Sequence, residues 1–223
     1  MTRRTRTLML ALAVAAPAVS VLAEAATVRG TVTIVGRGGE SAAPAGAVVW
    51  IDGATGSAPP PELAVIEMRK KTFQPAVVAV PVGSSVSFPN ADPILHNVFS
   101  VSAGNQFDLG LYGRGNGRAV VFREPGVVRV YCNVHPQMEA FVVVTPGPWR
   151  ASVAPDGSFT IDDAPTGRYQ VWAWHERGGS ASLSVEVVLG AVVSVDIRLD
   201  DSGYRKRPHL DKDGRPYTGR DRY

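Results

Sequence analysis

Residues 131–138 read Tyr-Cys-Asn-Val-His-Pro-Gln-Met, and Cys132 is the one cysteine in 223 residues. Cys132, His135 and Met138 stand three positions apart, between a valine-rich segment ending at Tyr131 and another beginning near Ala140. Period three suits neither the two-residue pleat of a strand nor an interdigitated core. A tight loop between two strands can instead turn thiol, imidazole and thioether onto one point. Those are donors that copper accepts, the thioether as a weak axial ligand. A second imidazole is then required, and of the four histidines His96 is best placed. It follows the turn Asn90-Ala91-Asp92-Pro93 and begins a strand candidate, which puts it at a barrel end within reach of a loop ligand. The expected site is one copper ion on His96, Cys132, His135 and Met138.

Outward from this loop, valine abounds and apolar and polar residues partly alternate, as in Val28-Arg29-Gly30-Thr31-Val32. Helical periodicity is absent, so the chain reads as all-β. Strand candidates beside the loop are 84–88, 97–101, 118–122, 127–131 and 140–144, with further ones at 47–51, 77–80, 158–161, 169–175, 182–189 and 192–199. Turn chemistry separates them, as at Pro81-Val82-Gly83, Pro125-Gly126, Pro155-Asp156-Gly157 and Pro165-Thr166-Gly167. Linker-like stretches at 53–61 and 146–148 bracket a middle domain, 59–145. Residues 26–58 and 146–199 flank it.

The ends differ from the body. Arg3, Arg4 and Arg6 precede an apolar run from Leu8 to Leu22, and Ala23-Glu24-Ala25 offers a cleavage site. That order predicts a secretory signal over 1–25, cleaved on export to the periplasm; Arg3-Arg4 is half of a twin-arginine pattern that the following residues do not strengthen. No later segment approaches the roughly 20 apolar residues of a spanning helix. The tail 200–223 is rich in charge and poor in apolar residues, which predicts a disordered segment. Each end carries a net +2 of the total +3, leaving −1 for 26–199. A body so nearly neutral argues against a nucleic-acid groove.

Tyr131-Cys132-x2-His135-x2-Met138, with His96-Asn97-Val98 upstream, resembles the cupredoxin (blue-copper) family of the amicyanin and plastocyanin kind. Val80-Pro81-Val82-Gly83-Ser84-Ser85-Val86-Ser87-Phe88 and Phe122-x2-Pro125-Gly126-x3-Val130-Tyr131-Cys132 match it too. The resemblance covers 62–145 and extends to exported chains labelled methylamine-utilisation proteins. It implies a Greek-key β-sandwich or barrel with a type 1 copper site that carries single electrons between redox partner proteins and catalyses nothing. It further implies that Asn97 joins the two ligand loops by hydrogen bonds and that His135 is the electron portal. Residues 99–117 form a longer excursion than a minimal cupredoxin needs. The flanks, through Val28 to Val32, Ala47 to Ile51, Asp156 to Ile161 and Val192 to Ile197, resemble a carboxypeptidase-regulatory-like, transthyretin-like β-sandwich. The favoured arrangement is that sandwich split, with the middle domain inserted between its halves; the alternative is a plain tandem in which the first strands complete the copper barrel.

Blander readings stand beside these. Cys132 alone suits a buried small hydrophobe and Met138 core packing. Zinc tolerates one Cys and two His but gains little from a thioether. A Cys132–His96 hydrolytic pair lacks an orienting partner beyond Asn97. His175 reads as an edge histidine over an aromatic face and His209 as a solvated tail residue, while Asp211 to Gly214 lacks the later acidic ligand of a calcium loop. The rival function is a copper-binding or carbohydrate-adhesion β protein without electron transfer.

Overall fold

The computed structural model describes residues 25–42, 44–54, 60–206 and 208–217. Residues 1–24 of the expected signal, part of the 53–61 linker and the last six residues lie outside these. Every element among the described residues is a strand. The first flank contributes β1 (Ala26–Gly36), β2 (Gly39–Ala42) and β3 (Val48–Asp52). The middle contributes β4 (Leu63–Val65), β5 (Glu67–Arg69), β6 (Thr72–Gln74), β7 (Val77–Pro81), β8 (Ser85–Asn90), β9 (His96–Ser100), β10 (Phe107–Tyr112), β11 (Gly115–Val121), β12 (Gly126–Tyr131) and β13 (Glu139–Thr145). The second flank adds β14 (Arg150–Ser152), β15 (Ser158–Ala164), β16 (Gly167–His175), β17 (Gly179–Val187) and β18 (Val192–Asp200).

The middle strands form two five-stranded sheets. One runs β10-β9-β12-β13-β7; the other runs β11-β8-β5-β6, with β4 also paired to β8. Val86 and Phe88 of β8, Val98 of β9, Val128 and Val130 of β12 and Phe122 fill the space between them. Their alternation along each strand is the period-two pattern of a sheet with one apolar face. The strands of two or three residues' reach, β4 to β6 and β14, are too short for that pattern to show in sequence.

The two flanks share both sheets of a second sandwich. β1 pairs antiparallel with β15 and parallel with β18, while β3 lies between β14 and β16 in the facing sheet. The middle sandwich is therefore inserted between β3 and β14. Its edge with the outer module explains β13, where every residue but the first is buried: Ala140, Val142 and Val144 face the inner core, whereas Phe141 and Val143 pack on Val48 and Trp174. The Phe141 and Trp174 rings are 5.1 Å apart.

The tail departs from the expectation of disorder. Asp201 pairs with Arg177 at 2.6 Å and Tyr204 donates to Glu176 at 2.8 Å. His209, expected in solvent, stacks on Tyr131 with ring centroids 4.1 Å apart. Phe99, on the outward face of β9, contacts both rings. Aromatic stacking and charge-assisted hydrogen bonds offset the ordering entropy that scarce apolar side chains cannot. β9 is thereby buried along its whole length, by the core on one face and the tail on the other.

Gly30 permits the β1–β18 pairing. A Cβ there would lie 1.7 Å from the Val195 carbonyl oxygen, a backbone atom that cannot turn aside. Gly30→Ala is expected to lower unfolding stability by about 3 kcal/mol, the upper end of what overpacking costs. Urea denaturation checks this, and an unchanged midpoint would contradict the pairing.

Candidate metal centre

Two loops at one end of the middle sandwich supply the site. β8 ends at Asn90 and the chain turns through 91–95 before β9 starts at His96; β12 ends at Tyr131 and the loop 132–138 leads into β13. Tyr131 pairs with Phe99 across β12 and β9, which brings the two loops together. The second loop is closed on itself. The Met138 N–H donates to the His135 carbonyl at 2.9 Å, and the Cys132 N–H to the Met138 carbonyl at 3.3 Å.

Three donor atoms meet there. His96 Nδ1 and His135 Nδ1 are 3.0 Å apart, and Cys132 Sγ lies 3.9 Å from the first and 3.6 Å from the second. All lie within 4.8 Å of one another, the only such cluster among the described residues. His96 and Cys132 are fully buried and His135 is 6% exposed. Met138, buried at the loop's end, belongs to the same apolar cluster as Cys132. His175 and His209 are not part of the group.

Burial pushes the Cys132 thiol up, against N–H groups of Asn97, Val134 and His135 that favour the thiolate. Burial also holds His135 below the ordinary histidine range, assisted by His96 and Lys71. At neutral pH the pocket thus offers His135 as a neutral imidazole beside a thiol that needs a cation to ionise. Two imidazole nitrogens and one sulfur aimed at a common point fit a thiophilic transition metal, and a thioether residue in the same loop fits copper better than zinc.

Asp92 is the residue that sequence reading assigned only to a turn. Its Oδ2 lies 2.9 Å from His96 Nε2. It also accepts the Lys70 N–H at 2.7 Å on Oδ1 and the Lys71 N–H at 2.9 Å on Oδ2. Lys70 and Lys71 form the two-residue turn of the β5–β6 hairpin with φ of 54° and 55°. Positive φ at both positions is the hairpin geometry that usually calls for Asn or Gly. The carboxylate therefore stabilises an unfavourable turn and fixes the ring of a candidate ligand at once. Burial works against its charge, yet bonds from the Lys71 N–H, His96 and the Lys70 N–H hold Asp92 below its ordinary value. Its position four residues before His96 was the available signal; the hairpin that completes the contact lies over 20 residues upstream.

Asn97 links the loops. Its Oδ1 accepts the Asn133 N–H at 3.3 Å, and its Nδ2 donates to Asp108 at 2.6 Å. The excursion 99–117 thus adds an edge strand, β10, that supports the site from the side. Val134, next in sequence to His135, lines an apolar cavity of about 400 Å³ together with Pro93, Ile94, Leu95 and Leu111. Leu95 and Leu111 are 57% and 56% exposed, so this rim is open to large partners.

No protein-family model and no curated protein matches the chain. Among solved structures, a purple cupredoxin from Nitrosopumilus maritimus is 26% identical over 37% of this chain and 99% of its own, with a TM-score of 0.34. A copper-containing nitrite reductase (NirK) from Thermus scotoductus SA-01 is 26% identical over 42% of this chain and 24% of that enzyme, at 0.35. An amicyanin variant in the Cu(I) state is 20% identical over 44% of this chain and 98% of its own, also at 0.35.

Two outcomes follow from this geometry. Asp92→Asn is expected to weaken metal binding by about 10–100-fold, the usual cost of losing a ligand's orienting partner, as measured by competition with a chelator. Because the Cys132 thiol is raised, uptake of metal by the apo protein must displace its proton. Apparent affinity should therefore climb with pH across the neutral range, about tenfold per unit, and calorimetry in buffers of different ionisation enthalpy should register one proton released.

Proposed function

We infer that the chain is a type 1 (blue) copper protein that carries single electrons between periplasmic redox partners and catalyses no reaction itself. One observation carries this: three buried donors, two imidazole and one thiol, converge from two separate loops beside a methionine of the same loop. His96, Cys132 and His135 are read as the strong ligands and Met138 as the axial one. Bound copper supplies a one-electron couple.

The residues around it do the rest. Asp92 and Asn97 hold the ligand side chains in place in either oxidation state, which limits rearrangement when an electron moves. The apolar cluster around Cys132 and Met138 excludes water from the thiolate. His135, the least buried of the three donors and next in sequence to Val134 of the apolar rim, is assigned to pass electrons to a docked partner. A rim of this size suits a small, transient contact. The signal pattern of residues 1–25 supports export, where a lone thiol is protected by being ligated.

Loading with Cu(II) should give intense thiolate-to-copper absorption that a mild reductant bleaches and that Cys132→Ser abolishes. A protein that binds copper without colour would overturn electron transfer and leave the rival reading of a storage or adhesion protein.

A further inference from the structure

We propose that residues 201–206 and 208–217 are a built-in strap that clamps the ligand loop, with Tyr217 and Lys212 as positioning residues for Cys132 and Asn97. The proposal rests on the copper reading above and deepens it.

The strap is anchored along its course. It leaves β18 beside the outer sandwich, where Asp201 meets Arg177 and the Tyr204 hydroxyl donates to Glu176. It then crosses to the metal-binding end of the middle sandwich. There His209 stacks on Tyr131, the residue that precedes Cys132, with an interplanar angle of 22°. Three polar contacts follow, two on the loop 132–138 and one on Asp108 of β10. The Lys212 N–H donates to Asn133 Oδ1 at 2.8 Å, and Lys212 Nζ pairs with Asp108 Oδ2 at 2.6 Å. The Tyr217 hydroxyl donates to the Cys132 carbonyl oxygen at 2.8 Å. Asp108 in turn accepts from Asn97, and Asn97 accepts from Asn133. The strap thus closes a ring of hydrogen bonds that runs from its own lysine through both ligand loops and back to its own backbone.

Physically, the loop 132–138 has few other restraints on that side. Inside the loop, two backbone bonds close its base and the N–H groups of Val134 and His135 face the Cys132 sulfur. A hydroxyl on the carbonyl of the thiol-bearing residue fixes the 132–133 peptide unit, and a backbone amide on the Asn133 side-chain oxygen holds the next residue from the same side. That holds Sγ against the two imidazoles whether or not an ion is present. Loosening the strap should lower the cost of local opening while leaving the sandwich cores untouched.

The test uses the full chain with Tyr217→Phe, Lys212→Gln and the double variant. Arg205→Ala, an exposed strap residue that bonds only its neighbour's carbonyl, is the control. In the apo protein, the rate at which a thiol reagent labels fully buried Cys132 should rise at least about tenfold in the double variant, at an unchanged urea midpoint. In the copper form, affinity should fall about tenfold or more with a shifted thiolate-to-copper band, the range seen when an orienting partner is lost. Tyr204→Phe, which frees the strap far from the loop, should move labelling in the same direction by less. Labelling, affinity and spectrum equal to those of the unsubstituted chain would overturn the strap. So would faster labelling that tracks a lowered urea midpoint, since that is a loss of global stability. If the unsubstituted chain takes up no copper, the copper reading fails, while apo labelling still decides the strap.

Discussion

A thiol and two imidazoles, all buried, lie within 4.8 Å of one another, and a bound cation would draw all three donors to one point. The rest of the middle sandwich can be understood from that constraint. His96 begins β9 and Cys132 follows β12, so the pairing of these strands sets the distance between the donors. The carboxylate of Asp92 then fixes one ring, and the closed loop from Cys132 to Met138 fixes the other two donors.

Asp92 couples two structural costs. A lysine pair at positive φ and a buried carboxylate are each unfavourable alone. Together they cancel in part, since the turn presents two N–H groups to the carboxylate that His96 also contacts. Asn97 has a comparable place on the other side, between the Asn133 amide and Asp108. Asp92 ties the turn 91–95 to the β5–β6 hairpin and Asn97 ties the loop 132–138 to β9, so each contact anchors a loop on regular structure.

The outer module and the tail act on the middle sandwich from outside. Phe141 and Val143 of β13 are buried because the outer sandwich covers them, and Phe99 of β9 because His209 does. A strand buried on both faces loses its period-two signature, so its neighbours cannot be inferred from its own residues. This is why β9 and β13 read as strands but not as strands with two partners. The charge-rich tail misleads in the opposite direction: composition measures what a segment can bury, whereas Tyr204, His209 and Tyr217 bind by stacking and directed hydrogen bonds that composition does not register.

The sequence by itself determined the all-β class, the inner faces of strands such as β8, and the donor types in the loop after Tyr131. These are local properties, carried by alternation and by spacing within a few residues. Only the tertiary structure decided that β1 and β3 join β15 to β18 around the middle sandwich, that Asp92 serves His96 and Lys71 at once, and that the tail seats on the ligand loop. Asp92–His96 apart, those contacts join residues from about 20 to more than 160 positions apart, and which of many equally plausible polar groups meet at such range depends on strand order and register, quantities no short stretch of chain encodes.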